Sequence, residues 1–120
     1  MNRSIRATQA ICLALAREGA DLVVADRNLN GAKETTALIK NSRTVVIQVD
    51  VSNETSVKSL YAAVMTHFGK IDIVVNSAGI CRMIPILEIE VAEWDKIMAV
   101  NLRGTFLMGR EAFRLMKKKV

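Results

Sequence analysis

Ile71-Asp72-Ile73-Val74-Val75-Asn76-Ser77-Ala78-Gly79 is an apolar, β-branched run that stops in a small polar tetrad. Ile and Val on both alternating faces suit a strand covered on both sides, as in a parallel sheet flanked by helices. The residues after such a strand lie at its carboxyl end, where open α/β sheets bind ligands. Asn, Ser, Ala and Gly leave room there for a flat ligand against the backbone, and Asn76 offers both a donor and an acceptor. Asn and Gly are also ordinary turn residues, so a strand followed by a plain tight turn explains the segment equally well when it is taken alone.

Upstream, two more strands end in the same way. Leu22-Val23-Val24-Ala25 runs into Asp26, and Thr44 to Val49 runs into Asp50-Val51-Ser52. Helices are expected around them: from about Ile5 to Glu18 with Gly19 as the left-handed stop, from a cap at Asn28 or Asn30 through Lys33 to about Lys40, and from a Ser52 cap to Phe68 with Gly69 as the stop. Downstream, 81–89 reads as an irregular loop around Pro85, Glu90 opens a helix carrying Trp94, Ile97 and Met98, and a last helix starts near Asn101. Helix and strand alternate as in a parallel α/β sheet with right-handed crossovers. If the three strands lie parallel in one sheet, Asp26, Asp50 and Asn76 to Gly79 share one edge. Such an edge describes a nucleotide crevice, and an acid at the end of the strand after the first helix accepts both ribose hydroxyls. That favours NAD over NADP, because a 2′-phosphate would meet a like charge. Arg27 weakens the preference by offering that phosphate a partner.

Composition bounds the class. The chain has 120 residues, 51% hydrophobic and 24% charged, enough for one domain with a buried core. Its longest apolar run, Ala10 to Ala16, is far too short to span a bilayer. The first 17 residues carry Arg3, Arg6 and Arg17 and no acid, as a mitochondrial presequence would. Ala7, Ile11, Ala14 and Leu15 make a buried helix face there, and a cytoplasmic protein is the favoured expectation over a matrix one. The net charge of +5 owes part to Lys117-Lys118-Lys119, which reads as a solvated helix end, not a nucleic-acid or membrane patch. Cys12 and Cys81 form no metal or redox motif and read as free thiols of a reducing compartment. His67, beside the Gly69 stop, reads as a surface residue compatible with the helix dipole.

These residues carry a resemblance. The chain resembles the short-chain dehydrogenase/reductase family, of the 3-oxoacyl-carrier-protein reductase and sugar-alcohol dehydrogenase kind. Ala14-Leu15-Ala16-Arg17-Glu18-Gly19-Ala20 resembles the end of that family's first helix, and Val24-Ala25-Asp26-Arg27 its second strand with the ribose acid. Asp50-Val51-Ser52 is similar to the segment beside the adenine, and Asn76-Ser77-Ala78-Gly79 to the Asn-Asn-Ala-Gly signature. Glu93-Trp94-Asp95 through Val100-Asn101-Leu102-Arg103-Gly104-Thr105 resembles the helix holding the family's structural and proton-relay asparagine, here Asn101. The resemblance implies a Rossmann-like fold and hydride transfer between NAD(P) and a small alcohol or ketone. It also implies cofactor contacts at Asp26, Asp50, Val51 and Asn76 to Gly79, with Asn101 in the catalytic group and no metal.

Departures accompany the matches. The family's Gly-x-x-x-Gly-x-Gly turn maps onto Asn2, Arg6 and Thr8, whose side chains would crowd a phosphate, although Arg3 or Arg6 offers the anion a different contact. The sequence stops at Val120, before the family's Ser, Tyr and Lys, and Tyr61 has no Lys four residues on. The expectation is a three-stranded, incomplete doubly wound sheet, cut at both ends and inactive alone. The strands ending at Asp26 and Val75 would then face a gap, closed by moving together or by a strand from another chain, or left open in an unstable fold. The alternative function is a non-catalytic nucleotide-binding or oligomerisation module. Leu102, Phe106, Phe113 and Met116 on the helix 101–119 form an apolar stripe for a second copy, or pack against the chain's own sheet. Loop 79–89, with Met83, Ile84, Pro85 and Ile86, is the one stretch expected to reach a substrate.

Overall fold

The computed structural model describes residues 6–117. The positions read above at Asn2, Arg3, Ile5, Lys118 and Lys119 lie outside them. Two compact units divide the chain, Met1–Val49 and Asp50–Val120.

In the first unit, α1 (Ala7–Arg17) closes on Gly19 at φ 89°, where a residue without Cβ takes the left-handed turn. Its covered face is Ile11, Cys12, Leu15 and the buried Ala16, while Ala7 and Ala14, expected on that face, are exposed. The strand β1 (Leu22–Asp26) pairs in parallel with β2 (Thr44–Gln48), from Leu22 opposite Thr44 to Asp26 opposite Gln48. Parallel strands need a crossover, which is α2 (Leu29–Ala37). The Asn28 side chain caps it by accepting from the Gly31 amide at 3.1 Å. The helix stops at Ala37, short of the expected Lys40, and Asn41 turns the chain at φ 64°. Leu22, Val24, Ala32 and Val49 are buried in this unit.

In the second unit, α3 (Glu54–Phe68) is capped by Asn53, whose Oδ1 accepts from Ser56 N at 2.9 Å. Ser52 was expected to cap it. Its hydroxyl instead donates to Asp50 Oδ1 at 2.6 Å, so the cap falls one residue later. Gly69 ends the helix at φ 70°, as expected. Residues 70–90 are neither helix nor ladder, and α4 (Val91–Met98), a wide π turn (Ala99–Arg103) and α5 (Gly104–Met116) then follow without a break. The two helices expected at 90–98 and from Asn101 are therefore one helical run. Nothing between Val91 and Met116 breaks a helix, and Asn101 turns its side chain outward to the loop at Ile80 instead of capping. Val57, Leu60 and Tyr61 of α3 are buried, as are Leu107 and Ala112 of α5, the helix that packs on it.

The incomplete α/β fold stands, with one strand fewer than expected. Among the described residues the sheet has two strands, and 71–75 makes no ladder. β-branched residues favour extended backbone, but a strand exists only where a neighbour supplies its hydrogen bonds. Ile73 and Val75 are 65% and 47% exposed. No described helix is long and apolar enough to cross a membrane.

Candidate functional site

Asp26 belongs to the first unit. It is exposed at the end of β1, and its Oδ1 accepts from the Asn28 amide at 2.8 Å, so the acid that ends the strand also shapes the turn into α2. Gln48 Nε2 donates to the Arg27 carbonyl at 3.0 Å and holds that turn from β2. At the start of α1, Arg6 is exposed, and its amide is already taken by Gln9 Oε1 at 3.2 Å. Pyrophosphate recognition by bare backbone does not fit a position carrying an arginine side chain and a spent amide.

The remaining candidates lie in the second unit, and three elements meet there. Asp50, Val51 and Ser52 form a tight turn in which Asp50 Oδ1 accepts from the Ser52 amide at 3.0 Å and from its hydroxyl. The Asp50 amide donates to Ser56 Oγ at 2.9 Å, tying the turn to the first turn of α3. Residues 76–79 are exposed, with small side chains throughout. Just after them, Ile80 is gripped by Asn101: its amide donates to Asn101 Oδ1 and its carbonyl accepts from Asn101 Nδ2, both at 2.8 Å. A primary amide presents one donor and one acceptor side by side, the pattern a neighbouring strand would offer. A Cβ on Gly79 would stand 3.4 Å from Asn101 Oδ1, which leaves the grip little spare room.

Two residues that the sequence reading did not single out complete the arrangement. Arg103 Nε donates to the Ser52 carbonyl at 3.3 Å. Gly104 is buried under Val51, where a Cβ would come within 2.7 Å of Val51 Cγ2. Asn101, Arg103 and Gly104 belong to the π turn or follow it directly, and such wide turns recur at functional sites. The structure thus brings Asp50, Val51 and Ser52 to one end of the π turn and Ile80, after the tetrad, to the other. Nothing local announces an i to i+5 turn in a sequence, so these two contacts had no signal beyond the Gly at 104.

Burial, with a smaller push from the Glu111 carboxylate, raises the Tyr61 phenol to about 12. Its hydroxyl donates to the Met108 carbonyl at 2.8 Å, so this tyrosine braces α3 on α5. Among the described residues no group of three or more His, Cys, Asp or Glu could hold a metal ion.

Asp26 presents an acceptor carboxylate in the first unit, and the turn at 50–52 and the exposed tetrad belong to the second. Comparison with known proteins finds clear likenesses. A family model described as enoyl-(acyl carrier protein) reductase matches residues 2–119. D-threitol dehydrogenase of Mycolicibacterium smegmatis is 41% identical over 101 residues, which are 82% of this chain and 39% of that protein. Sorbitol dehydrogenase of Cereibacter sphaeroides is 35% identical over 108 residues, 90% of this chain and 42% of that protein. The solved 3-ketoacyl-(acyl-carrier-protein) reductase of Brucella melitensis, complexed with NADH, superposes with a TM-score of 0.84 at 30% identity, covering 92% of this chain and 45% of that one. The chain spans less than half the length of each of these three proteins.

Proposed function

The chain belongs to the short-chain dehydrogenase/reductase family, and from that premise we propose that it builds part of the NAD site of an oxidoreductase acting on a small alcohol or ketone. The nicotinamide supplies the hydride acceptor or donor when bound. Asp26 accepts the adenosine ribose hydroxyls, which makes NAD a better ligand than NADP by charge repulsion. The turn at Asp50, Val51 and Ser52 faces the adenine, and Asn76 to Gly79 lie along the nicotinamide ribose. Asn101 acts by holding Ile80, with its Oδ1 and Nδ2 each bonded to that backbone. Its share in proton transfer, implied by the family likeness, belongs to this same reading. Two free thiols, half-buried Cys12 and exposed Cys81, suit the cytoplasm.

The observation that carries the proposal is the paired grip of Asn101 on Ile80, which fixes the backbone directly after an exposed tetrad of small residues. The test is thermal unfolding of the 120-residue chain with NAD and with NADP. NAD at 100 times its Kd is expected to add about 2.7 kcal/mol, with a smaller shift from NADP. A transition that neither nucleotide moves would overturn the reading.

A second reading has its own observation. Of the stripe Leu102, Phe106, Phe113 and Met116, the first three are 62%, 57% and 75% exposed and face away from the chain's own core, while Met116 is half-buried. Self-association through this face is proposed alongside nucleotide binding, and a non-catalytic assembly module is the form the function takes if no nucleotide binds.

A further inference from the structure

Ser52 turns its amide and hydroxyl inward to Asp50 Oδ1 and points its carbonyl at Arg103 Nε, 3.3 Å away. Val51, beside it, rests on Gly104 so closely that a Cβ there would also lie 3.3 Å from the Val51 carbonyl oxygen. Two residues before Arg103, Asn101 holds Ile80 by amide and carbonyl at 2.8 Å. One short segment therefore holds two loops that are separated by the whole of α3. An irregular loop kept in place without a ladder of its own relies on such side-chain contacts to stay in one conformation.

We propose that Arg103 is a positioning residue for the base-binding turn. Its guanidinium holds the Ser52 carbonyl while Gly104 sets the height of Val51, so that a planar base meets a preformed apolar surface instead of one it must order. A ligand that has to order its own site loses the corresponding free energy from its affinity. This inference rests on the reading of the 50–52 turn as part of a nucleotide site.

The test uses the full chain, its Arg103→Met variant, which keeps the aliphatic stem and loses the donor, and Arg103→Lys, which restores a donor. Adenosine and NAD are the ligands, with affinity read by calorimetric titration, and amide hydrogen exchange is followed at Ser52 and Asn53 without ligand. Arg103→Met is expected to weaken adenosine and NAD alike, each by about fivefold or more, and to speed exchange at both amides by a similar factor. Arg103→Lys is expected to recover most of both. Adenosine is uncharged, so weakening confined to NAD would report only the lost positive field and overturn the positioning role. Unchanged exchange and unchanged affinity in Arg103→Met would overturn it as well. If the wild-type chain binds neither ligand, the nucleotide reading fails and takes the ligand half of this inference with it, while the exchange measurement still decides whether Arg103 holds the turn.

Discussion

Gly104 shows how much one missing methyl decides. Its Cα lies against Val51, and a Cβ would stand 2.7 Å from Val51 Cγ2, 3.1 Å from Val51 Cβ and 3.3 Å from the carbonyl oxygen. Those atoms belong to a turn braced by Asp50 and Arg103, so they have no easy way to yield. Gly104→Ala is expected to cost about 1 to 3 kcal/mol in urea unfolding, as overpacking a tight contact does. Tyr61 gives a different kind of test. Burial raises its phenol to about 12, against about 10 for an unfolded tyrosine. The protonated form is thus favoured by the fold. Its contribution is complete below about pH 10 and is lost as the pH rises toward 12. Because it is the one tyrosine in the chain, phenolate absorbance reports it alone. The titration is expected to centre near 12, and Tyr61→Phe to remove that limb from the stability profile. At Ser52 the sequence reading was off by one residue. Ser and Asn both suit a helix cap, and the choice fell to Asn53 because Asp50 had claimed the serine.

Segment 71–75 and the run 91–116 departed furthest from expectation. The first has every local mark of a strand, and the described residues give it no ladder. Amides of Ile73 and Val75 are therefore expected to exchange at least tenfold faster than those of Val45 and Ile47 in β2, whose register points them at β1 carbonyls, since only hydrogen-bonded, covered amides gain protection. Equal protection would mean that 71–75 finds a strand partner in solution. For the second, the sequence pattern suggests two helices, the last starting near Asn101. In the structure Asn101 sits inside a π turn and turns its amide outward to Ile80. The likeness, which places Asn101 inside a helix spanning 93–105, agrees with this continuous run, whereas the residue pattern alone suggests a new start there.

Exposed apolar surface dominates the second unit. Ile73, Met83, Ile86, Leu87, Val91, Trp94, Leu102, Phe106 and Phe113 are all more than half exposed, and patches of this kind mark association surfaces. The Phe113→Lys variant is expected to sediment as a monomer with unchanged helix content, while the parent chain sediments as a dimer or larger. A monomeric parent chain would remove the self-association reading. Much of the molecule is legible in the sequence: the alternation of helix and strand as far as Phe68, the stops at Gly19 and Gly69, a cap at Asn28 or Asn30, of which the structure uses Asn28, and the strand end at Asp26. Each depends on a residue and its few neighbours in sequence, through backbone freedom, side-chain capping or a two-residue hydrophobic period, so local chemistry suffices to predict it. Three things were settled only by packing: whether 71–75 is a strand, where the helix widens, and which atoms Asn101, Arg103 and Gly104 touch. A ladder requires a second strand and a π turn answers to what lies beside the helix, and those partners are 21 to 53 residues away along the chain or supplied by no described residue.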